Sequence, residues 1–294
     1  MKPKVAVLEA EGTNCQRETK AAFNSVGGNT DIIHINSLEK GEDVVTGKPV
    51  SLDDYQLLAI PGGFSYGDYI SAGQVFSHRL EKSQSKLQKF INDGKLIIGI
   101  CNGFQALIKS GYLPGNQNLE QTASLVENDS GNYECRWVNL TSPSDKCVWT
   151  RGIDKIQLPV AHAEGKFITH YSQDLFSRGN VVFQYANNLG EPTMKFPQNP
   201  NGSAESIAGI CDNTGRIFGL MPHPERYNSS QNHPSSSLQE ILSRDYVNKS
   251  DPNISKRFKR YGGLPQEGAG LQIFRNGVEY AKRNLMNKGY ENGN

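Results

Sequence analysis

Four short, unbroken apolar stretches in the first hundred residues constrain the fold more than any other feature. They are Val5-Ala-Val-Leu, Asp31-Ile-Ile-His-Ile, Leu57-Leu-Ala-Ile and Lys95-Leu-Ile-Ile-Gly-Ile. Runs of four to six residues, bounded by Gly, Pro or Asn and lacking a polar alternation, suit strands covered on both faces, as in parallel sheets. Helical patterns lie between them, over residues 18–25 and 80–92. The second sets Leu80, Leu87, Phe90 and Ile91 near one face and stops at Asp93-Gly94. Alternating strands and helices predict βαβ units and an open, mostly parallel, doubly wound α/β sheet. In such a sheet ligands bind beyond the carboxyl ends of the strands, so the residues that follow each strand carry the functional question.

Farther on the pattern is more β-like, over 135–140, 156–160, 180–185, 206–210 and 217–221. These segments either extend the same sheet or form an added antiparallel patch. Between 227 and 270 the composition shifts to Ser, Asn, Pro and basic residues, which reads as a surface insertion. A last helix carries Leu271, Phe274, Val278, Ala281 and Leu285 at spacings that make one apolar stripe. Neither a repeat nor a linker divides the chain, so residues 1–294 are expected to form one domain, with 287–294 as a frayed tail.

At 294 residues a chain can bury roughly 70–75% of its unfolded surface and needs neither disulfides nor a metal to fold. The net charge of +1 argues against a surface built to grip nucleic acid or an anionic membrane. No run approaches the ~18 apolar residues of a membrane span, and the first apolar stretch is too short for a signal peptide. A cytoplasmic protein is expected. The five cysteines, Cys15, Cys101, Cys135, Cys147 and Cys211, form no Cys-x-x-Cys pair, so no structural metal is expected.

Cys101 stands apart. The fourth apolar run ends at Gly99-Ile100, and a helix pattern opens at Asn102. Gly99 and Gly103 flank the cysteine two residues away on each side, the spacing of a nucleophile elbow. A strand turning sharply into a helix leaves no room for side chains at those positions, and the helix N-terminus favours a thiolate. A packed core cysteine is the competing reading. A nucleophilic cysteine needs a base, and among six histidines the candidate is His223, which follows the apolar run ending at Met221 and precedes an acid, in Met221-Pro-His-Pro-Glu-Arg. Glu225 is placed to orient the imidazole if the segment turns back. Pro61-Gly-Gly-Phe-Ser-Tyr-Gly-Asp-Tyr follows the third run. Its paired glycines suit backbone N–H groups aimed at a ligand, or a plain turn.

These residues resemble class I (triad) glutamine amidotransferases and, within them, the glutaminase subunits of phosphoribosylformylglycinamidine synthases. The resemblance rests on Gly12-Thr-Asn-Cys15, Gly62 through Tyr69, Gly99 through Gln105, Pro159 through Gly165, Cys135-Arg-Trp-Val138 and Met221 through Arg226. It implies a flavodoxin-like sheet with Cys101 as nucleophile, His223 as base and acid, and Glu225 as orienting carboxylate. It further implies an oxyanion hole from the N–H groups of Gly63 and Asn102, and Gln105 as a contact for the substrate, L-glutamine. Ammonia would pass to a separate synthetase subunit, accompanied by a small accessory subunit, which converts formylglycinamide ribonucleotide to the amidine. ATP and Mg would be used by that synthetase; this chain has no Gly-x-x-x-x-Gly-Lys-Ser/Thr loop and no expected cofactor. One departure is Ala163, where the family pattern has Gly.

Two other classes remain open at this level. A related cysteine-elbow enzyme, a thiol hydrolase or a DJ-1-like protein, shares the elbow, although DJ-1-like proteins usually follow the nucleophile with His rather than Asn102. A non-catalytic regulatory subunit with the same fold is the other. Cys15 borders the first strand and is a rival nucleophile without an obvious histidine. His162 and Glu164 either line the pocket or form a loop salt bridge. Six basic residues between Arg244 and Arg260 make either a solvated face or a docking surface for the synthetase.

Overall fold

The computed structural model describes residues 1–116, 118–237 and 267–286. Its centre is a nine-stranded sheet. The strands are β1 (Lys4–Glu9), β2 (Asn29–His34), β3 (Leu57–Ile60), β4 (Leu96–Ile100), β6 (Glu134–Thr141), β7 (Lys155–His162), β9 (Val181–Ala186), β10 (Ile207–Cys211) and β11 (Ile217–Leu220). A two-stranded sheet of β5 (Ala123–Glu127) and β8 (Glu164–Thr169) stands beside it. The large sheet runs β2-β1-β3-β4-β11-β10-β9-β6-β7. Pairing is parallel from β2 to β11 and antiparallel from β11 to β7, which leaves seven of the nine strands pointing one way. The later β-like segments therefore extend the first sheet. The β2-β1-β3-β4 order is that of a flavodoxin-like sheet, whose winding reverses between β1 and β3.

The parallel block is apolar because it is covered on both sides. Val5–Leu8 are inaccessible, and every residue of β3, β4 and β11 is buried. Helices α1 (Gln16–Ser25), α2 (Ile35–Lys40), α3 (Gln74–Glu81), α4 (Gln84–Asn92), α5 (Asn102–Lys109), α6 (Ser172–Ser177) and α7 (Leu271–Asn284) surround it. On one face α7 packs with α1, Phe274 meeting Phe23 edge-on at 4.8 Å between ring centres. The buried stripe of α7 includes the expected Leu271, Phe274, Val278 and Ala281. On the other face α5 is buried from Asn102 to Ile108 and is roofed by the small sheet, with Phe104 stacked on Phe167.

Two local expectations need correction. The helix read over 80–92 is two helices: Ser83, at φ −106°, leaves helical geometry between α3 and α4. Apolar spacing cannot reveal such a break, because both pieces bury the same stripe of Leu80, Leu87 and Phe90. The run ending at Ile35 stops as a strand at His34, whose ring accepts the Asn36 N–H and caps α2. Of the insertion read over 227–270, the two ends lie together, with Gly268 N–H bonded to Asn228 O and Ser229 bridged to Glu267. Most of it, including the basic stretch from Arg244 to Arg260, lies outside the described residues, as does the tail 287–294.

Candidate active site

Sheet order assembles the site. β1, β3, β4 and β11 are neighbours pointing the same way, so the residues beyond their carboxyl ends meet: Cys15, Gly62 and Gly63, Cys101, and His223. Cys101 sits between β4 and α5 at φ 51°, ψ −104°. That left-handed backbone costs a non-glycine residue about 1–3 kcal/mol. It is held there by its N–H to Leu220 O at 2.8 Å and its carbonyl to Gln105 N at 3.0 Å. The flanking glycines are required by close approach. A Cβ on Gly99 would lie 2.7 Å from Gly103 O, and one on Gly103 would overlap Ile60 O.

His223 leaves β11 in an ordinary loop conformation, and Pro224–Arg226 make a single 3-10 turn rather than an extended segment. The turn brings the Glu225 carboxylate back, and Oε1 accepts from His223 Nδ1 at 2.6 Å. Both side chains are shut away from solvent, at 2% and 0% accessibility. Burial opposes the imidazolium, but the charge of Glu225 and then of Cys101 outweighs it, so the His223 pKa stands well above the usual histidine value. His223 Nε2 is buried without a hydrogen-bond partner among the described residues. A Cβ placed on Gly62 would lie 2.7 Å from the His223 ring and 3.4 Å from Cys101 Cβ, so both side chains converge over this glycine. The far end of the large sheet curls back to the same place: His223 N–H donates to Pro159 O at 2.8 Å, and Cys101 Sγ lies 3.7 Å from Ala161 O.

Gly63, at φ 150°, bridges to Thr13 and is hemmed by Asn14 N. The N–H of Asn102 belongs to the first turn of α5, where backbone donors have no partner within the helix. The Asn102 side chain ties the site together. Its Oδ1 accepts from Ser65 Oγ at 2.5 Å, and its Nδ2 donates to Asp68 Oδ1 and to Gln105 Oε1, each at 3.0 Å. Burial, then the charge of Glu164, pushes the Asp68 carboxyl up to about 6, against the bonds from Gly73 and Asn102. Gln105 is buried, and its Nε2 donates to Glu164 O at 2.5 Å. The side chain expected to touch substrate thus has both ends of its amide bonded within the protein.

His162 and Glu164 form no salt bridge with each other; each holds its own loop. The Glu164 carboxylate accepts Ala72 N–H at 3.1 Å. His162 Nδ1 meets Asn128 Oδ1 at 3.0 Å, and burial, reinforced by nearby His223, drives its pKa down to about 3. A side chain at Gly165 would collide with the His162 ring. Ala163 is not among the positive-φ residues, so this loop has no need of glycine there. The polar network of Ser65, Asp68 and Asn102, and the position of Arg226 beside Cys15, were not legible as contacts in the sequence. The Gly12-Thr-Asn-Cys15 motif, placed after the strand next to β3, was the available signal. Among the described residues, Cys15, His223 and Glu225 bring potential metal ligands within 4.8 Å. His223 Nδ1 is already committed to Glu225, and Arg226 Nη2 lies 3.1 Å from Cys15 Sγ. A cation there would face a guanidinium.

A strained cysteine at a strand-to-helix elbow and a buried histidine–carboxylate pair thus converge over Gly62. The family model for CobB/CobQ-like glutamine amidotransferase domains matches residues 2–281, and the chain belongs to that family. Phosphoribosylformylglycinamidine synthase subunit PurQ of Dehalococcoides mccartyi is 41% identical over 96% of this chain and 99% of its own length. The subunit of the same name from Methanococcus maripaludis strain S2 is 41% identical over 95% and 97%. A solved structure of PurLQS from Thermotoga maritima superposes with a TM-score of 0.65 at 30% identity, covering 95% of this chain and 99% of the matched one. Within the amidotransferases, then, the chain is a member of the PurQ group. No helix among the described residues is long and apolar enough to cross a membrane.

Proposed function

We propose that this chain is the glutamine-hydrolysing subunit of a phosphoribosylformylglycinamidine synthase, acting in purine biosynthesis with a synthetase subunit and a small accessory subunit in the cytoplasm. The observation that carries the reading is Cys101 held at φ 51° on the elbow, over the same glycine as a His223 ring bonded to Glu225 at 2.6 Å. The PurQ relatives support the particular synthase.

In this reading Cys101 Sγ attacks the side-chain carbonyl carbon of glutamine. With Nδ1–H directed at Glu225, the other ring nitrogen, Nε2, faces the reacting atoms and moves the proton. The tetrahedral oxyanion is received by the N–H groups of Gly63 and Asn102; one such donor is worth about 2.7–4 kcal/mol of barrier. His223 protonates the departing nitrogen, which leaves as ammonia, and Cys101 keeps a γ-glutamyl thioester. A water that gives its proton to His223 then attacks the thioester, releasing glutamate and restoring the thiol. Gln105 acts by joining Asn102 to the Glu164 loop, and so shapes the wall against which glutamine lies. The ATP and Mg chemistry that consumes the ammonia belongs to the synthetase.

The test is synthesis by the assembled complex from two nitrogen sources. Cys101→Ala is expected to abolish glutamine-dependent synthesis while leaving synthesis from ammonium salts intact. Glutamine-dependent turnover by Cys101→Ala would overturn the nucleophile assignment. Loss of both activities would overturn the division of labour between the subunits.

A further inference from the structure

The imidazole has a neighbour with no part in the mechanism above. Cys15, inaccessible to solvent, follows β1 and leads into α1, with its N–H on Gly62 O and its carbonyl bonded to Thr19 N. Its Sγ lies 4.0 Å from His223 Nδ1, donates to Asn14 Oδ1 at 3.2 Å, and receives Arg226 Nη2 at 3.1 Å. Core packing explains the burial of a cysteine, but it does not explain why a half-buried guanidinium is directed at sulfur. Arg226 is adjacent in sequence to Glu225, and Glu225 Oε2 is buried with no hydrogen-bond partner among the described residues. An arginine and a carboxylate readily form a charge-assisted pair, and that pair would compete with His223 for the same carboxylate.

We infer that Cys15 is a positioning residue: by accepting Arg226 it keeps the guanidinium off Glu225 and leaves that carboxylate to His223. The inference rests on the Cys101–His223–Glu225 reading above. Freed from sulfur, Arg226 has a charged acceptor on the adjacent residue, Glu225 Oε2, which attracts a guanidinium more strongly than the neutral Gln16 Oε1 and Asn228 Oδ1, also buried without partners among the described residues. Neutralising the carboxylate there weakens its grip on Nδ1 and its support of the imidazolium. The groups that bear on His223 are Glu225 and Arg226 on its own turn, Cys101 on the elbow, Cys15 after β1, His162 at the end of β7 and Tyr133 in the β5–β6 connection. Of these, the proposal moves only Arg226.

The experiment uses the assembled complex and reads kcat, KM and the pH profile for glutamine, with ammonia-supported synthesis as the control for assembly. Two apolar variants, Cys15→Ala and Cys15→Val, remove the acceptor, and valine also fills the space of the sulfur. Each is expected to lower kcat about tenfold or more with KM changed little, a loss of transition-state rather than ground-state binding, and to move the alkaline limb to lower pH. Cys15→Ser, which retains an acceptor, should keep the wild-type limb. The decisive arm is the pair Cys15→Ala with Arg226→Gln, where no guanidinium remains to capture Glu225. It is expected to recover kcat and the limb toward wild type. A purely structural cysteine predicts no such recovery. The inference is overturned if either apolar variant that supports ammonia-dependent synthesis has an unchanged kcat and limb, or if the double variant is no better than Cys15→Ala. Turnover by Cys101→Ala would instead sink the underlying triad.

Discussion

Glu225 is worth most to this site as a charge, since the His223 ring beside it is fully buried and burial alone would favour the neutral form. Glu225→Gln keeps the size and removes the charge, so the imidazole loses both its preferred tautomer and its support when protonated. By analogy with orienting carboxylates in other triads, glutamine-dependent kcat is expected to fall by about 10³–10⁴-fold. Steady-state glutaminase assays in the complex measure this, and a loss under tenfold would remove Glu225 from the mechanism. His162 makes a prediction for stability. Its folded pKa is depressed to about 3, so the unfolded chain binds the extra proton below the ordinary histidine value of about 6.5. Stability is therefore lost as pH falls through that window, by about 2 kcal/mol at pH 5 from this residue. Denaturant midpoints between pH 7 and 5 should fall in wild type and fall less in His162→Asn.

At the scale of elements, the elbow and the loop after β3 impose different limits. Gly62 borders both His223 and Cys101, so Gly62→Ala must push one of them aside while leaving the sheet intact. Glutamine-dependent synthesis is expected to drop at least 100-fold with a melting temperature near wild type; comparable activity would show that the two side chains do not need their present approach. The loop from Phe64 to Gly73 holds Tyr66, Asp68 and Ile70 at positive φ and is pinned by Glu164 and Asn102. Because the Asp68 carboxyl is raised to about 6, the folded state binds more protons than the unfolded one between about pH 4 and 6. Its burden on stability grows as pH rises through that range. Asp68→Asn should thus match wild type near pH 4 and exceed it in melting temperature at pH 7, and an advantage independent of pH would contradict this. The elbow was readable because a close backbone crossing demands two glycines at fixed spacing. The loop network was not, because Ser65, Asp68 and Asn102 meet only through φ values that composition does not disclose.

For the molecule as a whole, apolar run length carried most of the architecture. Val5–Leu8 and the β3 and β4 runs are apolar throughout because helices cover both faces, and that signal survives in sequence. The choice between an extended sheet and a separate patch did not, since the antiparallel strands pair through backbone groups that every residue shares. The curl that returns Pro159 and Ala161 to His223 and Cys101 depends on sheet twist accumulated over five strands, which no local pattern encodes. Cys101 and His223 were legible because each follows a strand end, and Glu225 because it lies two residues from the histidine, whereas Arg226 and Cys15 gain meaning only from the β1-β3-β4-β11 neighbourhood. The central claim is that Cys101 forms a covalent bond to glutamine. It is tested most directly by treating the complex with an electrophilic glutamine analogue and locating the adduct by peptide mass spectrometry. The account predicts one adduct, on Cys101, formed in step with loss of glutamine-dependent synthesis and prevented by excess glutamine. Labelling of Cys15 instead, or inactivation that leaves Cys101 unmodified, would contradict it.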